Sequence, residues 1–154
     1  MKKTQSSVLL ITLLSITTSA LAFGSRDEWE SGYAQGTAEY TVLGPGQSQL
    51  YLACDSSGYS PEKLIFTDPQ GREISSDNGQ RVFVKIDNRE AANVSETDSH
   101  AGSENFAWMW DKLRTGKRVT VSGEGVKSTT FTLKSAAHVL PAYNDSGCVS
   151  NFVR

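Results

Sequence analysis

The chain has 154 residues, with 15 lysine and arginine residues against 17 aspartate and glutamate residues and a formal net charge of −2 at pH 7. A chain of this size buries one hydrophobic core but not two, which predicts a single domain. The mildly acidic balance argues against nucleic acid as a partner, because binding to phosphates needs clustered lysine and arginine.

The first residues have the pattern of a signal peptide over residues 1–22. Lys2 and Lys3 form a short positive region, residues 8–14 form an apolar one, and residues 20–22 read Ala-Leu-Ala, which is typical of a cleavage site. Serine and threonine interrupt the apolar run, so it is too short to span a bilayer, which takes about 20 apolar residues. We therefore expect an exported protein, periplasmic or secreted, with a net charge of about −4 and no membrane anchor.

The two cysteines, Cys54 and Cys148, predict one disulfide, since oxidising compartments form and keep such bonds. Neither cysteine has basic neighbours in sequence that would activate its thiol, so a reactive role is the weaker alternative. A bridge closing a loop of this length contributes roughly 4 to 5 kcal/mol in the chain-entropy model. The two histidines, His100 and His138, are too few and too far apart to predict a metal site, and we expect no cofactor.

Residues 23–36 are polar and without period, which predicts a loose N-terminal lead-in. Trp29 is expected to lie on the domain surface as a local tether, with ligand stacking as the alternative. A single β-rich domain follows over residues 37–154. Alternating apolar and polar residues predict strands over residues 37–43, 48–54, 63–67, 72–75, 81–87, 117–122 and 126–134. The second strand places Cys54 in phase with Leu50 and Leu52, on the core side.

A helix between the two groups of strands is predicted to anchor the core. Four large apolar residues share one of its faces at helical spacing: Phe106, Met109, Trp110 and Leu113. Ser103 is expected as the N-cap with Glu104 in the first turn, and Gly116 as the end. Trp108 falls off the apolar stripe, so we expect it to pack under the preceding loop, with ligand stacking as the alternative. A second, short helix over residues 136–140 is expected to be capped by Ser135.

Residues 88–102 carry charge and small side chains without period, which predicts a long exposed loop, and such loops tend to be functional or disordered. Asp98, Ser99 and His100 bring an acid, a hydroxyl and an imidazole together in sequence. Adjacent positions do not form a catalytic triad by themselves, because triads are assembled from separate elements. We therefore predict no catalytic residue here, and take Asp98 and His100 as candidate binding residues with Trp108 and Trp29.

The C-terminal third resembles exported bacterial proteins of the invasion-associated locus B type and the type VI secretion-associated VasI type. The resemblance rests on Trp110-x-x-Leu113, on residues 116–121, on residues 130–137 and on Cys148, which follow in the order tryptophan helix, hairpin, small alanine-bearing helix and cysteine. Lys134-Ser135 stands where glycine-serine is typical. The resemblance implies a periplasmic β-sandwich without known catalytic residues, and no functional residue carries over.

The predicted fold is mainly β, an antiparallel sandwich or partly open barrel with two short helices and one disulfide. The first functional hypothesis is a non-enzymatic accessory or inhibitor, of the immunity type, that binds another envelope or secreted protein. The alternatives are a small-ligand or glycan binder that stacks sugars on exposed tryptophans, and a small periplasmic hydrolase built on His100 or His138.

Overall fold

The computed structural model describes residues 23–145 and Cys148, so the predicted signal peptide lies outside the described residues. Within them the chain forms two antiparallel sheets of five and four strands, two α-helices and one short 3-10 helix. The predicted mainly β fold is thereby confirmed. None of the helices in this part of the chain is both long enough and apolar enough to cross a membrane.

The first sheet is a meander in which each strand pairs with the next one along the chain. Tyr40 lies opposite Leu52, and Leu52 lies opposite Leu64, so that one face of the sheet is apolar and buried. The strands are β1 Glu30–Ala34, β2 Thr37–Leu43, β3 Gln49–Asp55, β4 Lys63–Thr67 and β5 Glu73–Ser75. The predictions for β2 and β4 are exact, and those for β3 and β5 are within one residue.

The second sheet has the order β7-β6-β8-β9 and packs its apolar face against the first. Phe66 of β4 and Phe131 of β9 meet edge to face, with ring centroids 6.0 Å apart. Its strands are β6 Val82–Ile86, β7 Ala92–Asn93, β8 Arg118–Gly123 and β9 Thr129–Thr132, and the helices are α1 His100–Thr115, α2 Ala136–Val139 and the 3-10 helix Tyr143–Asp145. The result is a β-sandwich-like core with α1 between β7 and β8 in sequence.

The apolar face of α1 is buried as predicted, with Phe106, Met109, Trp110 and Leu113 all fully covered. The Trp110 indole Nε1 donates to the carbonyl oxygen of Pro141 at 2.9 Å. Because its only polar atom is satisfied, this large ring can be buried without the cost of an unpaired donor.

The prediction of a loose lead-in is wrong from Trp29 onward. Trp29 is only 2% exposed, and its Nε1 donates to the carbonyl oxygen of Thr132 in β9 at 2.9 Å. The residues that follow it form β1, paired along its length with β2. As an edge strand, β1 is largely solvated and shows no apolar alternation, which is why its sequence looks irregular.

The helix α1 begins at His100, earlier than predicted, because Ser99 and not Ser103 is its N-cap. The Ser99 hydroxyl accepts from the Gly102 amide at 3.0 Å. Ser103 is instead buried inside the helix and donates to the Glu62 carboxylate at 3.1 Å. Glu104 therefore lies beyond the first turn.

The segment 88–102 is correspondingly not one long exposed loop. It contains β7, and Val94 is fully buried. Gly102 lies so close to this segment that a Cβ there would be 1.9 Å from the carbonyl oxygen of Glu96. Only glycine permits this approach. Ser135 lies at the N-cap position of the second helix as predicted, but its side chain makes no capping hydrogen bond and its φ is +67°.

The predicted disulfide between Cys54 and Cys148 is confirmed, with Cα atoms 4.8 Å apart and a sequence separation of 94. Both cysteines are almost completely buried. The bridge fixes the end of β3 to a segment beyond the last helix, so it closes most of the domain into one loop.

Asp68 connects the two sheets through a single buried carboxylate. It accepts the amides of Gln70 at 2.8 Å, Arg72 at 3.0 Å and Lys127 at 2.8 Å, and the Arg72 Nε at 2.7 Å. Burial alone raises the pKa of Asp68, but the hydrogen bonds from the Lys127 amide and from Arg72 hold it well below its usual value of 3.8. The β4–β5 turn is thereby held to the β8–β9 connection.

We expect Asp68→Asn to lower the thermal unfolding midpoint at pH 7 and to flatten its pH dependence in acid. A carboxyl whose pKa is depressed by folding stabilises the protein above its unfolded pKa, and this stabilisation is lost as the pH falls below about 4. Thermal unfolding between pH 7 and about pH 2.5 measures both effects. The control Asp98→Asn, at an exposed carboxyl, should keep the wild-type profile; an Asp68→Asn profile parallel to the wild type would contradict the prediction.

Candidate functional site

Three of the four predicted binding residues lie on α1 or just before it, and the fourth lies elsewhere. Asp98 is exposed just before the helix, and His100 is its first residue, with Nδ1 at 3.3 Å from the Glu104 Oε1. Trp108 keeps 37% of its surface exposed on the same helix. Trp29 has a structural role in the closed sandwich.

The most exposed aromatic side chains of the described residues lie at one end of the first sheet. Tyr59, in the loop between β3 and β4, is 87% exposed, and Tyr33, near the end of β1, is 69% exposed. The Tyr33 hydroxyl lies 3.1 Å from the Ser56 hydroxyl, which joins the strand to the loop. We call Tyr33, Ser56 and Tyr59 the tyrosine end.

The loop that carries Tyr59 is braced by Asp55. One carboxylate oxygen accepts the Ser57 amide at 2.8 Å and the Ser57 hydroxyl, and the other accepts the Ser60 amide at 3.0 Å. The Ser57 hydroxyl first, and then the amides, hold the pKa of Asp55 down to about 2. The carboxylate is therefore charged at neutral pH, and the loop directly follows the disulfide-bonded Cys54, so Tyr59 projects from an ordered support.

Residues 55–61 read Asp-Ser-Ser-Gly-Tyr-Ser-Pro. Tyrosine, serine and glycine are the residues that dominate the binding loops of antibodies, since tyrosine offers a large contact area with few rotatable bonds and serine offers adaptable hydrogen bonds. A solvent-facing tyrosine in such a loop is a common feature of protein-binding surfaces.

An open groove of about 290 Å³ lies beside the tyrosine end, on the outer face of the first sheet. Tyr51, Ala53 and Ile65 form its apolar part, and Glu39, Asp55 and Lys63 its charged part. The Tyr51 hydroxyl donates to Glu39 Oε1 at 2.8 Å. Burial, together with the hydrogen bond to Glu39 and its negative charge, raises the pKa of Tyr51. The phenol therefore stays a donor at neutral pH.

The chemistry of the described residues offers little for a metal. In the range 23–145 and at Cys148, no three His, Cys, Asp or Glu side chains are grouped so that they could hold a metal ion. Ser99, the hydroxyl of the Asp-Ser-His run, serves as the helix N-cap. Its observed role is structural.

Sequence reasoning missed Tyr33, Tyr59 and Glu39 as candidate site residues. The Ser-Ser-Gly-Tyr-Ser composition of the loop was an available signal for Tyr59. No comparable signal existed for Tyr33 and Glu39, because their place beside the loop depends on the pairing of β1 with β2 and of β2 with β3.

The fold and these surfaces define a class, a disulfide-closed β-sandwich-like domain with an aromatic end and an adjacent groove. A family model described as YfjT matches residues 27–140, which is most of the chain, and the chain therefore belongs to the YfjT family. The matched range contains both sheets, the tyrosine end and the groove. Searches of curated proteins and of solved structures found no match.

Proposed function

We propose that this protein is a non-catalytic, exported binding module that holds another envelope or secreted protein through its tyrosine end, as an accessory or an inhibitor. The observation that carries the proposal is Tyr59, 87% exposed on a loop that Asp55 braces. A loop whose backbone is already held in place loses little conformational entropy on binding, so more of the contact energy of its side chains contributes to affinity.

The chemistry of the tyrosine end supports a protein partner. Tyrosine is enriched at the centres of protein interfaces, where its ring is buried and its hydroxyl is hydrogen-bonded. Tyr33 and Tyr59 supply two such rings, and Ser56 and Ser60 supply hydroxyl groups beside them.

Three observations support export. The chain carries a buried disulfide, a bond that persists in oxidising compartments. The first 22 residues have the pattern of a signal peptide. The resemblance of the C-terminal third to exported bacterial proteins points the same way.

We expect Tyr59→Ala to weaken binding to the partner at least tenfold, which corresponds to about 1.4 kcal/mol. The partner is first captured from periplasmic extract of the native host by cross-linking and mass spectrometry, then purified, and its affinity is measured by isothermal titration. Thermal unfolding of the variant should match the wild type, because Tyr59 makes few contacts within the domain.

Trp108→Ala is the matched control, since it removes the exposed aromatic ring of α1. This variant should bind the partner with unchanged affinity. Loss of binding in Trp108→Ala with full binding in Tyr59→Ala would overturn the placement of the site. Saccharide binding that quenches Trp108 fluorescence, without any protein captured, would favour the glycan-binding alternative over this proposal.

A further inference from the structure

We propose that the groove beside the tyrosine end receives a basic side chain of the partner, an arginine or a lysine. This inference rests on the proposed function and names the chemistry of its partner. It is carried by the shape of the groove and by the charges that line it.

The groove exists because a small residue lies between two long ones. Glu39 of β2 lies opposite Ala53 of β3, and Ala53 lies opposite Lys63 of β4. Neighbouring strands are about 4.8 Å apart, so the Glu39 and Lys63 backbones are separated by roughly twice that distance. The alanine methyl group leaves the space between the two side chains open.

More negative than positive charges line this space. Glu39 and Asp55 are carboxylates of the groove, and among the described residues that line it Lys63 is the one cation. The Lys63 Nζ lies 2.8 Å from the Asp77 Oδ2, so its charge is already neutralised. Within residues 23–145, no lysine or arginine forms an ion pair with Glu39 or Asp55. A cation from outside supplies the missing charge.

The apolar lining of the groove suits the aliphatic part of an arginine or lysine side chain. Arginine and lysine bury an aliphatic stem along apolar surface while the charged group reaches a polar one. Ala53 and Ile65 offer that surface, and the Tyr51 ring offers a face on which a guanidinium or ammonium group is attracted. The Tyr51 hydroxyl fixes one oxygen of Glu39, which orients the carboxylate for a charge-assisted hydrogen bond.

The test is a titration of the mature, disulfide-bonded protein with N-acetyl-arginine amide, followed by amide chemical shifts in NMR. We expect saturating shifts at Glu39, Ala53 and Lys63. The neutral isostere N-acetyl-citrulline amide should give none. In Glu39→Gln, which keeps the shape and the acceptor for Tyr51, the affinity should fall about tenfold.

Glu73→Gln is the matched control, since Glu73 is exposed on β5, three strands away from Glu39, and does not line the groove. It should leave the arginine titration unchanged. Equal shifts with citrulline, shifts that do not depend on Glu39, or tighter binding of N-acetyl-glutamate amide than of the arginine amide would each overturn the inference.

Once the partner is captured, its affinity for the Glu39→Gln and Tyr59→Ala variants tests this inference and the proposed function separately. Glu39→Gln should weaken the partner's binding and reduce its dependence on salt. If Tyr59→Ala weakens binding and Glu39→Gln does not, the inference fails and the proposed function stands. If arginine binds in the groove and Tyr59→Ala leaves the partner bound, the assignment of the partner's binding site to the tyrosine end is wrong. The preference of the groove for a basic side chain then still stands.

Discussion

Replacing Cys54 and Cys148 together by serine is expected to lower the free energy of unfolding by about 4 to 5 kcal/mol. The bridge joins positions 94 residues apart, and a cross-link over such a loop removes much of the entropy of the unfolded chain. The stability of a domain this size is about 5 to 15 kcal/mol, so the loss is a large part of the total. The serine variant should be close to unfolding at ambient temperature.

Guanidinium denaturation of the wild type and of the double serine variant, each with and without reductant, measures the effect. Reductant should lower the midpoint of the wild type to that of the variant and should leave the variant unchanged. A variant that loses less than about 1 kcal/mol would show that the unfolded chain is already restricted without the bridge.

Replacing Trp110 by alanine is expected to cost about 3 to 5 kcal/mol, because it empties the centre of the core. The Trp110 ring meets those of Tyr40 at 5.1 Å, Phe106 at 6.2 Å and Tyr143 at 6.1 Å between centroids. Its Nε1 also satisfies the carbonyl oxygen of Pro141. Removal leaves a cavity lined by three aromatic rings and an unpaired acceptor.

Two further variants distinguish the loss of ring volume from the loss of the hydrogen bond, and the buried tryptophan from a partly exposed one. Trp110→Phe keeps most of the ring volume and loses the hydrogen bond to Pro141, so it should cost less than Trp110→Ala. Trp108→Ala, two positions away on the same helix but partly exposed, should cost less than Trp110→Ala, because less of its surface is buried. Chemical denaturation provides the comparison, and equal losses at both tryptophans would contradict the described packing.

The strands with strict alternation could be predicted from the sequence almost to the residue. In β2 and β4 one face is buried against the core, and burial imposes a period of two on the side chains. The same period places Cys54 on the inner face with Leu50 and Leu52, where the disulfide predicted from the two cysteines is shielded from solvent. The apolar face of α1 was predictable for the same reason, with helical spacing in place of alternation.

The predictions made from the sequence fail where contacts between residues far apart in the chain determine the structure. β1 is an edge strand, and Trp29 is buried through a hydrogen bond to Thr132 that no local pattern reveals. Ser99 and Ser103 are equally good N-cap residues by type, and the burial of Ser103 against Glu62 decides between them. At Ser135 the chain adopts a left-handed conformation that its side chain gave no reason to expect.

The candidate site was the least predictable part. Of the residues chosen from the sequence, Trp108, Asp98 and His100 are exposed, but none of them lines the groove beside the tyrosine end. The tyrosine end and the groove are built by the first four strands of the sheet, β1 to β4, and by the loop between β3 and β4. Only the order of the strands in the sheet brings these segments to one end.

The hydrogen bond from Trp29 to Thr132 spans 103 positions of the chain. The first sheet is a meander of neighbouring strands and can pair from its beginning, but the cover over its apolar face is incomplete until β9 exists. A growing polypeptide that ends before Thr132 therefore leaves part of the apolar face of the first sheet exposed to solvent. The domain can therefore complete its core only after β9 has been synthesised.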